Sequence, residues 1–155
     1  MGTIKNVTFN NITCKAENGI LLYGSDESIL ENISFKNIKF ELVDSKLNDV
    51  AGGNIDLRGC AAEKQLFEHD IPGIYAQYVK GLTIDDFKLT WTGTRMPYFT
   101  NGIEINNFND VRIENFKGSG SPINKKAVSI LLENGTNAVI NVDETLLIKK
   151  NNVKK

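Results

Sequence analysis

The sequence lacks the features that would place it in several functional classes. No apolar run approaches the ~18 residues of a membrane span, and residues 1–5 lack the basic-then-apolar layout of a signal peptide. We therefore expect no membrane association, and either a cytoplasmic protein or one whose leader is missing from this sequence. Lys and Arg (18) nearly balance Asp and Glu (19), so we expect no nucleic-acid partner.

Metal-binding and disulfide-forming side chains are also scarce. The chain has one histidine, His69, and two cysteines, Cys14 and Cys60, which lie far apart. These residues provide no ligand set for zinc, and no glycine-rich phosphate loop is present, so we expect neither a metal nor a cofactor. A chain of 155 residues does not need disulfide staples, which favours free thiols.

What the sequence does contain is an eight-residue repeat, in which apolar residues alternate on both sides of an Asn or Asp. Its four copies begin at Val7, Ile33, Leu82 and Val111 and are centred on Asn11, Asn37, Asp86 and Asn115. Alternation with period two indicates strands with one buried face. The phase slips by one residue at the Asn or Asp, and these residue types tolerate left-handed backbone conformations. Each copy is therefore predicted to be two short strands joined by a bend.

A second element recurs before the repeat, with gaps of 13 residues from Ile20 to Ile33 and of 10 from Ile74 to Ile84 and from Ile103 to Ile113. Its copies are Asn18-Gly19-Ile20, Pro72-Gly73-Ile74 and Asn101-Gly102-Ile103, with a weaker fourth over residues 127–132. The bend residues are 26, 49 and 29 residues apart, so the period is near 26 to 29 with one loop insertion at about 43–71. We predict a single all-β domain over residues 1–155: a right-handed parallel β-helix, a solenoid with three strands per coil and about four to five coils.

Stacked coils place like residues above one another, about 4.8 Å apart. Three internal columns are predicted: Val7, Ile33, Leu82 and Val111; Phe9, Phe35, Ile84 and Ile113; and Ile12, Ile38, Phe87 and Phe116. The four central Asn and Asp residues would form a ladder of hydrogen-bonded side chains. Cys14 aligns with Phe40 and Leu89, so we expect a buried, unreactive thiol.

The stretches from Ile4 to Ile20 and from Leu30 to Ile38 resemble the final coils of family 28 glycoside hydrolases, the polygalacturonases and their relatives. The resemblance covers roughly residues 3 to 143, and the segment from Asp70 to Val79, with Trp91 and Pro97 to Thr100 downstream, looks like bacterial members of the group. It implies a C-terminal portion of a polysaccharide-cleaving enzyme, acting on a plant or host glycan, whose parent is secreted or periplasmic.

The catalytic motifs of that family do not match this chain. The family carries its catalytic aspartates in Asn-Thr-Asp and Asp-Asp motifs, with a Gly-His-Gly motif, on coils that precede the matched portion. Neither Asn-Thr-Asp nor Gly-His-Gly occurs here, and the pair Asp85-Asp86 belongs to the repeat. A later Arg-Ile-Lys motif, which binds the substrate carboxylate, would fall at Leu21-Leu22-Tyr23. Both of its basic residues are absent, so a neutral sugar suits the chain better than galacturonate.

In that family the substrate groove lies over the outer face of the strands that follow the Gly-Ile element. If Ile20, Ile74, Ile103 and Val128 point inward, two outer columns follow: Leu21, Tyr75, Glu104 and Ser129, then Tyr23, Gln77, Asn106 and Leu131. Tyrosines can stack on sugars. We therefore predict that the glycan-binding residues include Tyr23, Tyr75, Gln77 and Asn106; the alternative is that the tyrosines only cover neighbouring loops.

Loops 43–71 and 92–101 are expected to form one wall of this groove, contributing Arg58, His69, Arg95 and Tyr98. Glycoside hydrolysis usually needs two carboxyl groups. Glu104 is the only carboxylate on the predicted outer face, and its partner would come from the insertion: Asp70 first, otherwise Asp56 or Glu68. His69 would shuttle protons or hold the loop.

Three functional hypotheses remain open. The chain is the C-terminal portion of a glycoside hydrolase and inactive alone, a non-catalytic carbohydrate-binding or scaffolding β-helix, or a complete small enzyme that uses Glu104 with a loop carboxylate. In each case the partner is an oligo- or polysaccharide. The first predicted strand starts near Ile4 with no capping helix before it, so homo-oligomers through exposed end coils are also expected.

Overall fold

The computed structural model describes residues 2–44, 53–56 and 68–155, and in these ranges the chain forms seven strands and no helix. The strands are β1 (Lys5–Ala16), β2 (Ile20–Tyr23), β3 (Leu30–Val43), β4 (Ile74–Thr92), β5 (Ile103–Glu114), β6 (Ile130–Asn141) and β7 (Ile148–Lys154). The protein is therefore all-β in its described part, as the alternation predicted.

The named strands belong to one parallel sheet. Its order is β1-β3-β4-β5-β6-β7, and β2 pairs with β4 beside this path. The registers set Val7 against Ile33, Ile33 against Leu82, and Leu82 against Val111. The predicted stacking of one repeat on the next is confirmed at these positions. The predicted insertion lies between the end of β3 and the start of β4.

Bends divide the long strands into straight segments. The residues at these bends have a left-handed backbone conformation, with φ > 0. The predicted bend residues Asn11, Asn37, Asp86 and Asn115 all have φ between 49° and 57°. Two more columns of left-handed residues were not predicted: Asn6, Asn32, Gly81, Asp110 and Asn137, and Tyr78, Asn107, Asn134 and Asn152. Asn is frequent at these bends because its short polar side chain tolerates φ > 0 and bonds locally.

Side-chain amides connect the bends of successive strands. Asn37 donates from Nδ2 to Asn11 Oδ1 at 2.6 Å, and Asn32 donates in the same way to Asn6 at 3.0 Å. The predicted ladder is interrupted further along, because Asn115 donates to Asp85 Oδ1 rather than to Asp86. Asp85 and Asp86 each offer a carboxylate to the Asn115 amide. The repeat identifies only the bend position, so it does not predict which of the two carboxylates accepts.

The core lies between the stacked strands and is almost entirely aliphatic and aromatic. Ile74, Ile103 and Ile130 are fully buried in one column, and Phe87 and Phe116 are buried in another. At the β1 edge of the sheet the predicted columns are more open: Phe9 and Ile12 are each 37% exposed. Cys14, predicted to be buried, is only half-buried for the same reason.

The predicted register of the fourth copy of the Gly-Ile element is wrong. Ile130 pairs with Ile103, where Val128 was expected, so Leu131 takes the place predicted for Ser129 and Glu133 takes that of Leu131. A turn at Ser121 to Ala127 delays the strand, with Asn124 N–H donating to the Ser121 carbonyl and Ala127 N–H to that of Asn124. A shift of two residues leaves every side chain on its original face, so alternation alone does not exclude it.

Candidate functional site

Two columns of side chains lie on the outer face of the segments that begin at Ile20, Ile74, Ile103, Ile130 and Ile148. The first column is Leu21, Tyr75, Glu104, Leu131 and Lys149, and the second is Tyr23, Gln77, Asn106, Glu133 and Asn151. The structure thus brings together Tyr75 with Glu104, and Tyr23 with Gln77 and Asn106, as the alternation predicted. We call the second column the polar row.

Glu104 is held by hydrogen bonds on both carboxylate oxygens. Oε1 lies 2.9 Å from His69 Nε2, and Oε2 accepts from Asn101 Nδ2 at 2.8 Å. Only 8% of the residue is exposed. A carboxylate held through both oxygens and largely buried has a fixed orientation.

His69 brings the end of the insertion down onto the strand face. Its Nδ1 lies 2.6 Å from the Asp70 carbonyl oxygen and its Nε2 faces Glu104. A neutral imidazole has only one N–H. Both ring nitrogens therefore donate when the ring is an imidazolium and Glu104 is ionised.

The pKa of His69 follows from these contacts. Burial lowers the pKa, but the hydrogen bond to Glu104, the bond to the Asp70 carbonyl and the charges of both carboxylates together raise it above its ordinary value. Burial raises the pKa of Asp70, His69 lowers it, and the charges of Glu104 and Glu68 raise it further. Asp70 and Glu104, the two predicted catalytic residues, are thus close enough to interact electrostatically.

Tyr75 does not offer an open ring, contrary to the prediction that it stacks on sugar. Its ring centroid lies 4.3 Å from that of His69, and the residue is 4% exposed. Its hydroxyl donates to Gln77 Oε1 at 2.9 Å. Burial and the charge of Glu104 raise the pKa of Tyr75 to about 12, against the opposing effect of a hydrogen bond with Asn106. His69, near the end of the insertion, covers this tyrosine, which sequence alternation cannot reveal.

Gln77 connects the covered column to the polar row. It accepts from Tyr75 and donates from Nε2 to the Gly24 carbonyl at 3.1 Å. Further along the row, Asn106 Oδ1 accepts from Asn134 at 3.0 Å, and Asn151 donates to Glu133 Oε1 at 2.7 Å. All five side chains of the row are half-buried, so each is positioned by its neighbours and still reaches the surface.

The described end of loop 43–71 lies beside loop 92–101, with which it was predicted to form one wall. Ile71 N–H donates to the Tyr98 carbonyl, and Thr100 N–H donates to the Ile71 carbonyl. The Tyr98 ring packs over Gly53, where an added Cβ would come within 2.3 Å of it. Arg95 instead points to Asp44, with Nε 3.0 Å from Oδ2, and is largely exposed. Arg58 lies outside the described residues.

The alternative carboxylate partners for Glu104 lie in different surroundings. Asp56 is 4% exposed, and its backbone N–H donates to Asn54 Oδ1. Glu68 is exposed, and its charge acts on Asp70. Of the three candidates, Asp70 is the one whose described contacts connect it to both His69 and Glu104.

Sequence reasoning missed the asparagines that hold the site together. Asn101 binds Glu104 through Nδ2 and accepts from Val128 N–H through Oδ1 at 2.9 Å, and Asn54 Oδ1 accepts from His69 N–H at 3.1 Å. Asn18, at the position equivalent to Asn101, donates to the Ile55 carbonyl at 2.9 Å. The recurrence of Asn before Gly-Ile at positions 18 and 101 is the one sequence signal for these contacts.

Comparisons with protein-family models, with curated proteins and with solved structures find no match. In the described part of the chain, no three His, Cys, Asp or Glu side chains are grouped so that they could hold a metal ion. No helix of these residues has the length and apolarity needed to cross a membrane.

Proposed function

We propose that this chain is a right-handed parallel β-helix that binds a polysaccharide along its polar row, as part of a polygalacturonase-like glycoside hydrolase. The β-helix is supported by parallel pairing of successive repeats and by left-handed bends at equivalent positions of neighbouring strands. Connections between parallel strands of one sheet are almost always right-handed.

The observation that carries the functional proposal is the polar row itself. Five strands each contribute one half-buried polar side chain to it, and neighbouring strands are about 4.8 Å apart. A sugar polymer lying across the strands would meet a phenol, amides and one carboxylate in succession. These groups donate and accept hydrogen bonds as sugar hydroxyls do, and only one carries a charge, which suits a neutral glycan.

Glu104 acts in this proposal as a positioning residue for the loop. Its two oxygens hold His69 and Asn101, which belong to the two loops that flank the strand face. The catalytic aspartates of the parent enzyme would then be supplied by other coils, as the resemblance to family 28 implies.

Affinity electrophoresis in gels containing neutral polysaccharides such as xylan, mannan or glucan tests the proposal. Retardation by one of them should weaken about fivefold in Tyr23→Ala, because one sugar contact of about 1 kcal/mol is lost. Thr8→Ala is a matched control, since Thr8 is exposed on another outer face. No retardation by any neutral glycan, or equal losses in both variants, would contradict glycan binding at this row.

A second candidate is hydrolysis by Glu104 and Asp70 within this chain, and the raised pKa of Asp70 favours it. A raised pKa suits a general acid, and Glu104 would be the second carboxyl group of the pair. Release of reducing sugar that is abolished in Glu104→Gln and in Asp70→Asn, and absent from heat-killed protein, would establish this candidate. The β-helix proposal expects no such release.

A further inference from the structure

Three lysines lie in one column on a different outer face, which follows the bends at Asn37, Asp86 and Asn115. Lys39 pairs with Lys88 in the β3–β4 register, and Lys88 forms a parallel bridge with Lys117. All three side chains are exposed. Neighbouring parallel strands are about 4.8 Å apart. The column therefore places one ammonium group on β3, one on β4 and one on the bridge residue that follows β5.

This column departs from how the chain arranges its other charges. Like charges directly opposite one another destabilise a sheet. Charges alternate at Lys5, Glu31 and Lys80, where Lys5 and Glu31 form an ion pair of 2.6 Å, and two like charges face each other at Asp85 and Glu114. No other register of the described strands sets three like charges in succession. No ion pair within the described ranges neutralises Lys39, Lys88 or Lys117.

A surface groove of about 400 Å³ runs beside the column. Its lining includes Lys15, Lys39 and Lys88 together with the hydroxyls of Thr13, Thr90 and Thr92. Glu41 also borders the groove and lies 3.4 Å from Lys15, so it is turned toward that lysine at the edge of the column. The groove thus combines unneutralised ammonium groups with hydroxyl donors and acceptors.

We propose that the lysine column and its groove bind an acidic polysaccharide, with successive acidic groups placed against Lys39, Lys88 and Lys117. Lysine is a flexible point charge that accommodates carboxylate and sulfate alike, and the threonines suit sugar hydroxyls. Single-stranded nucleic acid is disfavoured, because such sites stack bases on exposed aromatic rings, and the one aromatic residue of this lining, Phe40, is 5% exposed. The site is separate from the polar row and does not depend on it.

The test measures binding of the full chain to four polymers by isothermal titration calorimetry at low and physiological salt. Alginate carries carboxylates, dextran sulfate carries sulfates, dextran is their neutral control, and oligo-dT represents nucleic acid. The variant K39Q/K88Q/K117Q removes the column. The matched control K80Q/K126Q/K154Q removes the same charge from exposed positions outside it.

The expected result is binding to at least one acidic glycan, weaker at high salt, with affinity reduced about tenfold in the column variant and unchanged in the control variant. Tyr23→Ala should leave this binding intact, which separates it from the proposed function. Equal losses in the two triple variants, tighter binding of oligo-dT than of either acidic glycan, or no binding at physiological salt would overturn the proposal. Circular dichroism of each variant checks that the fold is retained.

Discussion

Replacing His69 with alanine removes the contact that ties the insertion to the strand face. The His69 ring lies 2.9 Å from Glu104, and the exposed fractions of the two side chains are 22% and 11%. Truncating one partner of a fully buried ion pair costs about 3–5 kcal/mol. Partial exposure of His69 and the remaining bond from Asn101 reduce this, so we expect a loss of about 2 kcal/mol in the free energy of unfolding.

The loss should depend on pH in a defined direction. The pKa of His69 is raised by folding, so its contribution is fully present below the ordinary value of about 6.5 and is lost as pH rises through the folded value. His69 is the only histidine in the chain. The difference between the wild type and His69→Ala should therefore be largest near pH 6 and should shrink above the folded pKa.

Urea denaturation from pH 5.5 to 9, followed by circular dichroism, measures this difference. Lys5→Ala is the control, because it breaks an ion pair that contains no histidine. A gap between wild type and His69→Ala that stays constant across the range would refute the assignment of His69 as an imidazolium bound to Glu104. A gap that widens with rising pH would show that folding lowers the pKa of His69 instead of raising it.

Four further predictions concern the core, the bends, the acidic pair and assembly. Phe87→Ala should cost about 4 kcal/mol in chemical denaturation, because Phe87 is fully buried among Phe35, Phe40 and Phe116, and Phe9→Ala should cost clearly less. Asn37→Ala should lose about 1–2 kcal/mol, since alanine disfavours φ near 50°, and Asn37→Gly should recover part of it. Folding raises the pKa of Asp70, so the wild type loses stability as this carboxyl ionises. The urea midpoint of Asp70→Asn should therefore increase relative to that of the wild type as pH rises above 4. Exposed Phe9 and Ile12 predict association that light scattering detects as concentration rises, and a strict monomer at high concentration would contradict it.

Most of the strand registers could be predicted from the sequence, because period-two alternation and a repeated bend residue act together. Val7, Ile33, Leu82 and Val111 occupy one column as predicted. The predicted alignment is wrong at Val128, where the sequence matches the repeat poorly. Registers with Val128 or Ile130 opposite Ile103 both keep the same side chains on the buried face. The second and third bend columns were missed because their residues, such as Gly81 and Tyr78, differ from strand to strand.

The candidate site was predictable only in part. Alternation correctly placed Tyr75 beside Glu104 and Gln77 beside Asn106. It could not show that His69 covers Tyr75, since His69 lies outside the repeat and no register relates it to the strands. Nor could it identify Asn101 as the second partner of Glu104, because a residue before Gly-Ile reads equally well as part of a turn.

The most direct test of glycan binding along the polar row is a nuclear magnetic resonance titration with neutral oligosaccharides. The proposal predicts that chemical-shift changes concentrate on Tyr23, Gln77, Asn106, Glu133 and Asn151, while resonances on other outer faces, such as that of Thr83, stay in place. Changes confined to another face, or no changes with any neutral oligosaccharide at millimolar concentration, would contradict the account.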